Sequence, residues 1–294
     1  MVSRAALPPC PDRRAVLAGL AALAVHPALG ATPAPRLAAI DWAMLETAAA
    51  VGHMPVAACE LMRFRADAAT PTIPAKVVDL GLRGAPNLEL LQLLRPGLIL
   101  SSPFYAAMES RLSQIAPVLS LPFYDPGQPP LPRAFAALTQ VAQAVGDPAA
   151  GERAAADANA RLDRLAQRLR KAAARPFAVV ELGDAQHMRV FGDDSLFGST
   201  LARLGLANAF QGATRFSFLA PVPITELAAR ATARLILIGP PPPEARAALR
   251  RSVLWQRLPA VAAGRVHELP VMNGFGAVPA ALRFASALAD AVGA

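Results

Sequence analysis

Past the first thirty-one residues, hydrophobic positions come in short runs of β character separated by stretches in which they recur every three or four places. That alternation predicts α/β lobes with mostly parallel strands. The first series of strands is expected at Arg36 to Ile40, Val77 to Leu80, Gly97 to Ser101 and Val118 to Leu121. Between them, helices are expected at Trp42 to Val51, Asn87 to Leu94 and Ala106 to Ile115, the second opening on an Asn87 cap and stopping before Pro96. From Asp147 to Ala174 the composition turns to alanine and charge. Leu162, Leu165 and Leu169 fall at helical spacing there, and arginines occupy the other faces. This stretch reads as one amphipathic helix without a strand partner. It is either another surface helix or, as its length, its midpoint position and the Arg175-Pro176 break favour, a rigid connector.

A second series follows, with strands expected at Phe177 to Leu182, Met188 to Phe191, Leu235 to Ile238 and Arg265 to Leu269. Its helices are expected at Leu196 to Leu204, Thr225 to Ala231 and Val278 to Val292, with Pro240 to Pro243 as a stiff loop. The fold class is therefore α/β, two α/β lobes joined by a single long α-helix. The limits are 32–146 for the first lobe, 147–174 for the connector and 175–294 for the second. A chain of 294 residues suits two units, because one core rarely grows past about 250 residues.

Residues 1–31 read as an export signal: a basic stretch ending in Arg13-Arg14, an apolar run from Ala15 to Val25, and small residues at Ala28, Gly30 and Ala31. The arginine pair is compatible with twin-arginine export of a folded protein or with an ordinary secretory signal. Cleavage removes Cys10 and leaves Cys59, which can form no internal disulfide. No later segment has the roughly 18 uninterrupted apolar residues of a spanning helix, so no stable membrane insertion is expected. The formal charge of +8 is almost all arginine. The basic residues are scattered rather than interleaved with aromatics along a stripe, which speaks against nucleic acid. Attraction to an acidic small molecule, or solvation of helix faces, accounts for the excess.

Catalytic constellations are missing from the pattern. His53, His187 and His267 are far apart in sequence, each in an apolar context, and read as structural. There is no His-Glu-x-x-His, no Cys-x-x-Cys, no phosphate-cradling glycine motif and no Gly-x-Ser-x-Gly elbow. The expectation is a binding protein with no resident cofactor, not an enzyme.

The stretch from Val77 to Leu91, with Gly81-Leu82-Arg83-Gly84 at its centre, continues into Arg95-Pro96-Gly97-Leu98-Ile99-Leu100. With Ile115-Ala116-Pro117, His187 to Gly192, Ser195-Leu196-Phe197, Asn208 to Gly212 and Leu254 to Pro259, it resembles the periplasmic ferric hydroxamate-binding proteins of iron-uptake ABC transporters. These are class III, helical-backbone receptors, and the blocks run in order along nearly the whole mature chain. The resemblance implies a ferric siderophore as ligand, an inner-membrane ABC permease as partner, a periplasmic location and action as a monomer. It implies that Arg83 and Tyr105 hold the oxygens around the iron, a task suited to a permanent cation and a phenol donor. It implies that Glu89 and Glu226 meet arginines of the permease. Where that family lines its cleft with tryptophans and tyrosine, this sequence has Ser101, Ser217, Asn273 and Phe275. That substitution predicts a cleft with fewer flat surfaces, with Arg215, Phe216 and Phe218 as compensation, and a hydroxamate or mixed citrate-type chelate, smaller or more polar than ferrichrome, anionic ones included. A receptor of the same architecture for haem or a corrinoid, and an α/β periplasmic enzyme, are the alternatives.

Overall fold

A computed structural model of the chain describes residues 34–125, 127–214 and 221–292. The expected export signal, Arg215, Phe216, Ser217 and Phe218 lie outside the described residues.

The first lobe is built from β1 (Leu37–Ala39), α1 (Trp42–Ala50), β2 (Ala57–Ala58), α2 (Leu61–Asp67), β3 (Val78–Asp79), β4 (Gly81–Leu82), β5 (Ala85–Pro86), α3 (Leu88–Leu94), β6 (Leu98–Ser101), α4 (Ala106–Ser113), β7 (Val118–Ser120) and α5 (Pro130–Ala144). Five of these strands form a parallel sheet in the order β3-β2-β1-β6-β7, and β4 and β5 make a separate antiparallel hairpin. The sheet is buried on both faces, as parallel sheets are. The two-residue pleat sends Ala38 and Ile40 into an outer core with Leu91 and Ile99, and Leu37 and Ala39 into an inner one. Asp41 caps α1 by accepting from the Ala43 and Met44 amides, and Asn87 caps α3 by accepting from Leu90.

The midpoint helix, α6 (Pro148–Leu169), has 22 residues and runs on as a tighter turn over Arg170–Ala174. It spans roughly 33 Å at about 1.5 Å per residue. Asp147 caps it, Pro148 stands where a missing amide proton costs nothing, and Leu162, Leu165 and Leu169 form the buried stripe.

The second lobe contains β8 (Phe177–Leu182), β9 (His187–Val190), α7 (Leu196–Arg203), β10 (Val222–Pro223), β11 (Arg234–Ile238), α8 (Pro243–Arg251), α9 (Val253–Arg257), α10 (Pro259–Ala262), β12 (Val266–Leu269) and α11 (Val278–Ala291). Its sheet runs β10-β9-β8-β11-β12; β8, β11 and β12 are parallel, while β9 and β10 are antiparallel to their neighbours. Two expectations are corrected here. Thr225 to Ala231 is not an α-helix but a three-residue-per-turn helix over Ile224–Arg230, and Pro243 is the first residue of α8 rather than part of a loop.

A single inner core crosses between the lobes. It joins Leu45 and Ala48 of α1, Leu138 and Val141 of α5, and Leu162 of α6 to Val179 of β8, Leu201 of α7 and Phe284 and Leu288 of α11. The rings of Phe197 and Phe284 stack within it at 4.6 Å. The last helix thus packs on the first, so the lobes are held by buried area as well as by the connector. The three histidines serve this frame: His53 pairs with Asp147, His187 with Asp184, and His267 with the Ala291 carbonyl.

Candidate ligand-binding cleft

Parallel strands deliver their C-terminal ends, and the loops that follow them, to one edge of a sheet, which is where ligands settle in such folds. Both lobes do this toward a shared cavity of about 370 Å³. From the first lobe come Asp41 and Trp42 after β1, Arg83 on the β4–β5 hairpin, Phe104 and Tyr105 after β6, and Tyr124 after β7. From the second come Glu181 of β8, Arg189 of β9, Phe191, and the loop from Val271 to Phe275 after β12.

Arg83 is fixed from three sides. Its main-chain amide donates to Glu60 Oε1 and its Nε to Glu60 Oε2, each at 3.1 Å, and its guanidinium lies 4.1 Å from the centre of the Trp42 ring. Trp42 is itself held by Nε1 donating to the Cys59 carbonyl at 3.0 Å and by the edge of Phe64. Tyr105 stands on the same wall; burial, with the Asp41 carboxylate nearby, pushes its phenol up to about 12, so it remains a proton donor at neutral pH. Asp41 lies beneath, accepting from Ser102 Oγ at 2.9 Å as well as from the helix amides, and burial raises its pKa.

The opposite wall is a loop tied down from the first lobe. Glu46, wholly buried in α1, accepts from the amides of Ala277 at 2.7 Å and Ala280 at 3.3 Å and from Asn273 Nδ2 at 3.3 Å. Tyr124 Oη donates to the Gly276 carbonyl at 2.7 Å, and its ring meets Phe275 edge-on. The loop can pass this close because residue 276 is glycine: a Cβ there would lie 2.6 Å from both carboxylate oxygens of Glu46.

Of the residues expected to bind ligand, the structure brings together Arg83, Tyr105, Asn273 and Phe275. Asn273 is in the wall, but its amide is engaged within the protein, Nδ2 on Glu46 and Oδ1 on the Phe275 amide. Ser101 is a correction: as the last residue of β6 it is only 2% exposed and does not line the cavity, which the chain reaches only at Phe104, three residues later. The expected shortage of flat surfaces is a second correction. Trp42, Phe104, Tyr124 and Phe191 join Tyr105 and Phe275 in the wall, Phe104 being 58% exposed. Arg63 and Arg189 were also missed; each lines the cavity beside its own carboxylate, Asp67 and Glu181. Aromatic positions such as Trp42 and Tyr124 could have been found from their place a few residues beyond a strand end. Glu89 is exposed in the first turn of α3, and Glu226 is exposed and paired with Arg230 at 3.3 Å.

Two α/β lobes joined by one long helix, with a lined cavity between them, define a class III substrate-binding protein. The chain belongs to the periplasmic binding protein family, whose model matches residues 37–271. It is 33% identical over 258 residues to the iron(3+)-hydroxamate-binding protein FhuD of Escherichia coli (strain K12), covering 88% of this chain and 87% of that protein. Among solved structures it is similar to FhuD from Vibrio cholerae bound to Fe3+-Desferal, with a TM-score of 0.77, 25% identity, and 87% and 97% of the two chains covered. The fold also matches the triscatecholate siderophore binding protein FeuA from Bacillus subtilis, with a TM-score of 0.65, 16% identity, and 89% and 93% covered.

Proposed function

We propose that this chain is the periplasmic substrate-binding component of an ABC importer, and that it captures a ferric hydroxamate siderophore in the interlobe cavity and delivers it to the inner-membrane permease. One observation carries the reading: Arg83, immobilised by Glu60 and Trp42, presents its guanidinium in the cavity wall beside the Tyr105 phenol. Hydroxamate oxygens bound to iron are electron-rich acceptors, and each charge-assisted bond to them is worth about 1.5–3 kcal/mol. Because Arg83 is already held in place, little side-chain entropy remains to be lost on binding. The iron itself is cargo, caged by its chelator.

The balance of charge favours a hydroxamate over a citrate-type chelate. Among the described residues three arginines line the cavity, and each is paired: Arg63 with Asp67, Arg83 with Glu60 and Arg189 with Glu181. Three hydroxamates cancel the charge of ferric iron, whereas citrate leaves an anion for which the described residues of the wall offer no uncompensated cation. The aromatic lining suits the apolar arms of a hydroxamate. In this account the protein is exported, acts as a monomer without a resident cofactor, and meets the permease through Glu89 and Glu226, rim charges of the kind that set orientation and encounter rate.

The test uses the protein's own fluorescence. Trp42 lies in the cavity wall and the other tryptophan, Trp255, belongs to α9, so in a Trp255→Phe background the signal reports the site alone. Saturable quenching by a ferric trihydroxamate, and weak or absent quenching by ferric citrate and haemin, is expected. Quenching by haemin or ferric citrate with no response to any ferric hydroxamate would overturn the assignment.

A further inference from the structure

We propose that Glu60 sets the charge selectivity of the cavity, acting through Arg83 without touching the ligand. The inference rests on the reading of the cavity as a ferric siderophore site. Glu60 follows β2 with φ at 52°, a left-handed conformation unusual for a residue with a side chain, and its amide donates to the Gly81 carbonyl at 2.8 Å. That backbone turn aims its carboxylate at the β4–β5 hairpin, where one group takes both the main-chain amide and Nε of Arg83. Glu60 itself does not line the cavity, and its side chain is 16% exposed. Nη1 and Nη2 of Arg83 have no hydrogen-bond partner among the described residues.

This arrangement separates two properties that an arginine normally brings together. The guanidinium keeps donors for the oxygen shell of the ligand, while its net charge is cancelled from behind. Asp67 and Glu181 do the same for Arg63 and Arg189, but those pairs are more exposed and more strongly screened, which makes Glu60 the partner with the largest effect. Asp41, buried below, adds no positive charge. A neutral or cationic complex is therefore accepted, and among the described residues of the wall an anionic one finds no uncompensated cation to meet it.

Glu60 is a positioning residue, so the test must separate charge from geometry. Dissociation constants are measured for the ferrichrome complex (neutral), the ferric Desferal complex (cationic) and ferric citrate (anionic), on the wild type, Glu60→Gln, Glu60→Asp and Arg83→Gln. In Glu60→Gln the affinity ratios should move in favour of the more negative complex by about tenfold for each unit of ligand charge. Glu60→Asp should keep the wild-type order, and Arg83→Gln, which leaves Glu60 uncompensated, should shift the ratios the opposite way. A parallel loss for all three complexes in Glu60→Gln, or the same shift in Glu60→Asp, would overturn the selectivity role and leave the siderophore assignment standing. A wild type that binds none of the three would overturn both.

Discussion

Replacing Glu46 by glutamine should flatten the dependence of stability on pH. Glu46 carries a carboxyl with no exposure, placed at the start of α11, whose cap position Ala277 has no capping side chain of its own. Desolvation pushes its pKa from 4.5 up to about 8; the hydrogen bonds from Ala277, Asn273 and Ala280 pull it down, and the charge of Asp41 adds to the rise. Below pH 4.5 the folded and unfolded chains both hold this proton. Between 4.5 and about 8 the folded state keeps a proton that the unfolded state has released, so stability falls as pH rises through that window and levels off above it. At about 1.4 kcal/mol for each tenfold change in proton affinity, the ceiling is roughly 5 kcal/mol. Relaxation of the site by half leaves about 2–3 kcal/mol, or about 5–10 °C of melting temperature for a chain of this size. Glutamine retains a carbonyl oxygen for the Ala277 and Ala280 amides and carries no titrating proton. Thermal unfolding followed by circular dichroism from pH 5 to 9, on both proteins, should show the gap in Tm closing or inverting in favour of Glu46→Gln as pH rises. A gap independent of pH would refute the reasoning.

Gly198→Ala should lower the melting temperature, because a methyl group there would collide with the Gly192 carbonyl and stand 2.9 Å from Asn208 Nδ2, an overpacking cost of about 1–3 kcal/mol or more measurable by denaturant titration. Because the inner core continues from Leu45 of α1 to Phe284 of α11 across both lobes, X-ray scattering profiles with and without ligand should nearly superimpose, and a large compaction on binding would contradict the shared core.

Elements with long, unbroken signals were legible in the sequence. β8 runs from Phe177 to Leu182 as expected, Asn87 caps its helix, and the leucine stripe of α6 is buried as its spacing implied. What escaped was short or locally ambiguous. β2 has two alanines, which favour helix by themselves and form a strand only because β1 and β3 flank them. α5 begins Pro130-Leu131-Pro132, which reads as a loop until the first turn of a helix is recognised as the place that tolerates proline. In the site, Arg83 and Tyr105 could be singled out by resemblance, since nothing in their own spacing marks them as ligand-facing. Their supports could not be read at all. Glu60 lies 23 residues from Arg83, and Glu46 lies 231 residues from Ala277, so each pairing exists only after the chain has folded. Ser101 failed for a related reason: residue type and rough position place it at a strand end, but the pleat decides which way it points.

The central claim is that a fixed guanidinium and a phenol on one wall grip the oxygen shell of a caged ferric ion. Its most direct measurement is the dissociation constant of a ferric trihydroxamate for the wild type and for Arg83→Ala combined with Tyr105→Phe, read from Trp42 fluorescence. Loss of those donors should weaken binding about a hundredfold or more, with the fold intact by circular dichroism. An unchanged dissociation constant in the folded double variant would contradict the account.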